Sequence, residues 1–106
     1  MLGEFEYHVL AAAQRLLENA YGASISSGIE ETGRSCPIGA LYTTLDRLER
    51  KGLIETWMDD PTPQRGGRSK RKVRVTGKGR QAAAEFYTAV HRATRGLAWR
   101  RNALAC

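Results

Sequence analysis

Between residues 65 and 74 the sequence carries Arg65, Arg68, Lys70, Arg71, Lys72 and Arg74, six cations with no acidic residue among them. The chemistry open to such a run is electrostatic: it neutralises the phosphates of a polyanion and releases their counterions. A second group is spaced for a helix. At about 100° per residue, Ala40, Thr43, Thr44, Arg47 and Arg50 share a face that is small, hydroxylated and basic. Alanine and the threonine methyls permit close approach to base edges, the hydroxyls donate or accept, and an arginine reaches a guanine or a phosphate. The plainer role for Asp46, Arg47, Glu49 and Arg50 is a set of solvent-facing ion pairs three and four residues apart, worth a few tenths of a kcal/mol each.

Other chemistries find little support. His8 and His91 stand alone, with no carboxylate or cysteine at ligand spacing, so no metal site is expected. No serine, cysteine or lysine lies beside a plausible base, and Gly77-x-Gly79 lacks the third glycine of a dinucleotide fingerprint. An enzyme and a bound cofactor are therefore not expected. Cys36 and Cys106 lie far apart without a C-x-x-C pair, which points to a reducing compartment. Cys36 sits at a helix start two residues after Arg34, where a thiol is activated; more often such a cysteine is a small buried hydrophobe.

The charge is segregated. Residues 1–60 hold five Lys/Arg against ten Asp/Glu, a net −5, whereas residues 61–106 hold twelve against Glu85 alone, a net +11. A pI of 9.8 built this way favours nucleic acid or an acidic membrane as partner over a merely solubilising surface. With 106 residues, 42% hydrophobic and 26% charged, the chain is one globular domain with an appendage. No apolar run nears the roughly 18 to 20 residues that span a bilayer. Glu4 and Glu6 stand where a secretory signal needs basic residues, so a cytoplasmic protein is expected.

The elements that must position these groups follow from periodicity. Phe5, Val9, Ala12, Leu16 and Ala20 recur at helical intervals and predict a first helix from Gly3 to about Asn19, closed by Tyr21-Gly22. Ser24 to about Thr32 predicts a short second helix ending at Gly33. Pro37 suits a first helical position, Ile38, Leu41, Leu45 and Leu48 share an apolar face, and Gly52 stops the third helix. Leu53–Met58 and a segment from residue 69 or 70 to Thr76 predict two strands, joined by a Pro/Gly-containing tip from Asp59 to Arg68. After Gly77 and Gly79 the pattern is helical to about Arg101, with Ala82, Phe86, Ala89, Ala93 and Leu97 forming a seam. A helix of roughly 20 to 25 residues outruns a small domain, so part of that stripe must meet another chain.

The fold class is thus mostly α with a small β-hairpin: a winged helix-turn-helix, followed by a long C-terminal dimerisation helix. In that order of elements the third helix enters the DNA major groove and the hairpin tip follows the backbone or minor groove. A winged helix used for protein contact is the alternative, but it would present an apolar helix face and no wing charge. Membrane binding by Arg92, Arg95, Arg100 and Arg101 is a weak reading without a strong Trp/Leu face opposite them.

At these residues the sequence resembles the PadR family of bacterial transcriptional regulators. Gly39-Ala40-Leu41-Tyr42-Thr43-Thr44-Leu45-Asp46-Arg47-Leu48-Glu49-Arg50-Lys51-Gly52-Leu53-Ile54 is similar to its recognition-helix pattern, and Gly66 to Arg71 with Arg74-Val75-Thr76-x-x-Gly79 to its wing. The resemblance spans about residues 2–95. It implies a homodimeric repressor of double-stranded DNA at an inverted repeat, and in some members release by a small aromatic effector near the dimer interface. By motif position it assigns DNA contact to Tyr42, Thr43, Arg47, Arg68, Lys70 and Arg71, to which the small basic helix face and the cationic run add Ala40, Thr44, Arg50, Arg65 and Lys72. It implies pairing of the C-terminal helix with its twin and with the partner's first helix, and the apolar stripes of those helices then mark Phe5, Val9, Ala82, Phe86, Ala89, Ala93 and Leu97 for dimerisation, with the DNA-binding domain expected at residues 1–76 and the dimerisation helix at 77–106. Phe86, Tyr87 and Trp99 are the aromatics an effector would meet. The sequence departs from the family at Pro37, often Ser there, at Lys72-Val73 in place of an aromatic pair, and in its single C-terminal helix.

Overall fold

A computed structural model describes residues 2–59 and 69–99. Helix α1 runs Glu4–Leu16, α2 Gly22–Glu30 and α3 Ile38–Arg50; strands β1 (Ile54–Met58) and β2 (Arg71–Val75) pair antiparallel, and α4 covers Gly77–Ala93. The expected order of elements is the observed one, with several boundaries moved for identifiable reasons.

The first helix ends three residues early. Leu17 takes a positive φ of 54° and the chain tightens into a single 3₁₀ turn, Leu17–Asn19. The second helix starts at Gly22, inside the segment expected to be a closing turn, because Ser24 caps it: the Tyr21 N–H donates to Ser24 Oγ, which donates to the Asn19 carbonyl at 2.7 Å. Pro37 is the N-cap of α3, not its first helical residue, with extended ψ of 137°. Ile38, expected on the apolar face, is consequently near the helix mouth and 49% exposed.

The core is built from one stripe of each element. Val9, Leu10 and Ala13 of α1 meet Ile25 and Ile29 of α2, Leu41, Leu45 and Leu48 of α3, and Ile54, Val73 and Val75 of the hairpin. Cys36 is buried among them and its carbonyl accepts from Ser26 Oγ, so the thiol serves as a small core hydrophobe. In β1–β2, Ile54 faces Val75 and Thr56 faces Val73 on the inner side, while the pairs Glu55–Arg74 and Trp57–Lys72 point outward. The second edge of β2 is not free: the Val73 N–H donates to the Ala20 carbonyl, and Tyr21 bridges Lys72.

Gly52, at φ 77°, supplies the stop after α3. Thr76 then starts α4 by donating to the Gly52 carbonyl and accepting from the Gly79 N–H at 3.0 Å. Gly79 lies so close to the hairpin that a Cβ there would collide with the Leu53 carbonyl and come within 2.9 Å of Val75 Cγ1. Thus Gly77 and Gly79 do not delay the helix but belong to its first turn.

Helix α4 is shorter than expected. At Thr94 the hydroxyl donates back to the Val90 carbonyl, and Gly96 at φ 81° turns the chain away. Seventeen residues still give about 26 Å of helix. Only its first half rests on the domain, through Ala82, Ala83 and Phe86; beyond that it projects outward. The radius of gyration is accordingly 15.9 Å, against about 13 Å for a ball-like chain of this length. No helix among the described residues is long and apolar enough to cross a membrane.

Candidate nucleic-acid interface

The exposed side of α3 follows from its buried side. Leu41, Thr44, Leu45 and Leu48 are buried at i, i+3, i+4 and i+7, leaving Ala40, Thr43, Arg47 and Arg50 exposed on the opposite face. Thr44 is therefore a correction: it is 5% exposed and belongs to the inner stripe. Its place three residues after Leu41 and one before Leu45 was the signal. Thr43 points outward, and its hydroxyl donates to the Gly39 carbonyl at 3.1 Å, which leaves its oxygen able to accept.

Tyr42 stands on the flank, 40% exposed, with its hydroxyl against Gly22 at the start of α2. A Cβ on Gly22 would lie 2.5 Å from that oxygen, so the glycine makes room for the ring. Tyr42 thus packs α3 against the first turn of α2.

The hairpin brings its cations beside this face unequally. Arg65 and Arg68, with Gly66 and Gly67, lie outside the described residues. Lys70 places its Nζ 3.9 Å from the centre of the Tyr21 ring, and Lys72, 5.9 Å from the same ring, donates to the Glu18 carbonyl. Arg71 turns inward onto α3, 3.0 Å from Asp46 Oδ1 and 3.3 Å from Glu49 Oε1. Tyr21 and Glu49, which hold these cations, were not among the expected site residues; the acidic pair Asp46 and Glu49, three apart on one flank, was the only sign of them.

The expected dimerisation residues divide. Val9 is fully buried in the core and cannot meet a partner, a correction that follows from its place at the centre of the inner stripe of α1. Phe5 is half-buried under the Arg34 guanidinium, 5.3 Å above its ring. Phe86 stacks on Tyr7 with 4.8 Å between ring centres, and Ala82 rests on the core. Ala89 and Ala93 are exposed on α4, whereas Leu97 lies past the helix end and so outside the seam. Along α4 runs a groove of about 980 Å³ lined by Leu2, Leu53, Ala82, Phe86, Ala89 and Val90.

At the far end of α3 a partly buried ion pair ties it to α1. Lys51 Nζ reaches both oxygens of Glu6, at 3.0 and 2.9 Å, and the Gly3 N–H donates to Glu6 Oε1 at 2.7 Å. Among the described residues no group of three or more His, Cys, Asp or Glu could hold a metal.

The model of the transcriptional regulator PadR-like family matches residues 9–85. A PadR family transcriptional regulator from Eggerthella lenta is 25% identical, with a TM-score of 0.69 over 84% of this chain and 76% of that one. The complex structure of hsRosR-S1 is likewise 25% identical at a TM-score of 0.69, covering 90% and 78%. A PadR-like transcription factor from Bacteroides fragilis, 24% identical at a TM-score of 0.70 over 85% and 82%, shares the fold. No curated protein matches.

Proposed function

The chain belongs to the PadR-like family of transcriptional regulators, and from that premise we propose that it is a cytoplasmic, sequence-specific DNA-binding repressor that acts as a homodimer. The observation that carries this reading is the outward face of α3, where Ala40, Thr43, Arg47 and Arg50 stand together beside a hairpin leading into the basic tip. Residues 1–76 form the DNA-binding part and 77–106 the dimerising part. The projecting half of α4, with Val90 48% and Tyr87 58% exposed, supports the second assignment, since such a face on a soluble helix gains by pairing.

A two-fold dimer presents two copies of α3, which fit successive major grooves when about 34 Å apart, or a multiple of that, and so require a pseudo-palindromic operator. A small aromatic effector would act at the same interface, where Tyr87 is an exposed aromatic on the helix. The reading is tested by selecting duplexes from a random library with the purified protein. Enrichment of an inverted repeat with half-sites one helical turn apart is expected; failure to enrich any sequence over the starting pool would refute it.

A further inference from the structure

The ties between the hairpin and α3 carry a further inference, which rests on the DNA-binding reading. Glu49 uses both carboxylate oxygens across three elements. Oε2 accepts from the Thr56 N–H at 3.1 Å and from Thr56 Oγ1 at 2.7 Å, both on β1; Oε1 takes Arg71 of β2 at 3.3 Å. The Thr56 N–H lies on the outer edge of a two-stranded sheet, where no further strand can pair it, so the carboxylate does what a third strand would do. Asp46, one turn earlier on the same flank, takes the other share of Arg71, whose side chain is only 21% exposed. The opposite edge of the hairpin is fixed by Val73 to Ala20.

We propose that Glu49 and Arg71 are positioning residues that hold the wing at one angle to the recognition helix, and that Arg71 acts on this carboxylate pair rather than on a DNA phosphate. Two elements that dock on one duplex bind best when their relation is set beforehand, because ordering them on binding costs affinity. Arg71 also neutralises two carboxylates whose charge would otherwise repel the phosphates. In the sequence Arg71 is one of six alike cations, and only the fold separates it from the rest.

The two roles differ in their salt dependence. An arginine on a phosphate contributes about 0.9 to the slope of log K against log salt, whatever the DNA sequence. A positioning arginine leaves the slope alone and costs affinity where docking is specific. Wild type, E49Q, T56V, R71Q and the double variant E49Q/R71Q would be titrated against a selected duplex and its scrambled version over a salt series, with urea midpoints recorded for each. Expected is a loss of about tenfold on the selected duplex for E49Q and R71Q, with the scrambled duplex and the slope unchanged, and a double variant no worse than either single. T56V, which removes only the hydroxyl donor, should move the same way by less. Equal losses on both duplexes with a slope lowered by about 2 per dimer, or fully additive losses in the double variant, would overturn the proposal. Wild-type protein that binds neither duplex would instead overturn the DNA reading beneath it.

Discussion

Glu6 carries its charge in a place where only 5% of its side chain meets solvent. Burial pushes the carboxyl upward, but the Gly3 N–H, the Lys51 ammonium and the charge of Arg47 together pull it further down, so it titrates below its ordinary value of 4.5. A folded-state value beneath the unfolded one means stabilisation that is complete above about 4.5 and drains away as pH falls through the folded value. Glu6→Gln should therefore cost about 1 to 3 kcal/mol at neutral pH. Urea unfolding should show the gap to wild type narrowing in acid; a gap unchanged from pH 7 to 3 would contradict this account. On the outward face of α3, Arg47→Ala should lose about 1 to 3 kcal/mol on the operator alone if the side chain reads a guanine, and equally on operator and random DNA if it holds a phosphate. Anisotropy titration separates the two. At this scale the sequence revealed residue types but not their partners. The hydroxyl of Thr44 suggests the polar face, whereas its helical position matches the leucines and buries it. Glu6 gave no sign, since its partner Lys51 is 45 residues away.

At the level of elements, the junction between hairpin and α4 turns on Gly79. An alanine in a helix is ordinarily better than glycine by about 0.5 to 1 kcal/mol. Here its Cβ would press on the Leu53 carbonyl, part of the backbone that the Thr76 N–H already uses. Overpacking of that kind costs about 1 to 3 kcal/mol, so Gly79→Ala should lower the melting temperature; an unchanged or raised value would show that the junction can open. The elements themselves were legible, because each apolar stripe has an unambiguous period and Gly52 marks the end of α3. Their ends were not. The early stop of α1 depends on Leu17 adopting a positive φ, which its side chain does not announce. The start of α2 at Gly22 depends on Ser24 capping backward. The apolar period of α4 runs on past its true end, which Thr94 and Gly96, at φ 81°, impose.

For the molecule as a whole, the proposed dimer would account for α4 extending beyond its own domain. Val90→Glu places a charge that a solvated helix tolerates and a helix pair does not. Sedimentation should find this variant at 11.8 kDa and wild type at twice that mass. Its operator affinity should fall steeply, because two half-sites then bind without the benefit of linkage. A variant that remains dimeric would place the interface elsewhere. The segregation of charge between the two halves of the chain is legible in the sequence: the acidic half builds most of the core, and the basic half supplies the second strand of the hairpin and its cations.

The most direct test is a fluorescence-anisotropy titration of the full chain against its own upstream intergenic duplex and a scrambled copy, across several salt concentrations. Specific regulation predicts tighter binding to the native duplex by about a thousandfold, with log K falling against log salt at a slope of roughly −5 to −7 for a dimer holding three or four phosphates per subunit. Equal, weak binding to both duplexes, or affinity indifferent to salt, would contradict the central claim.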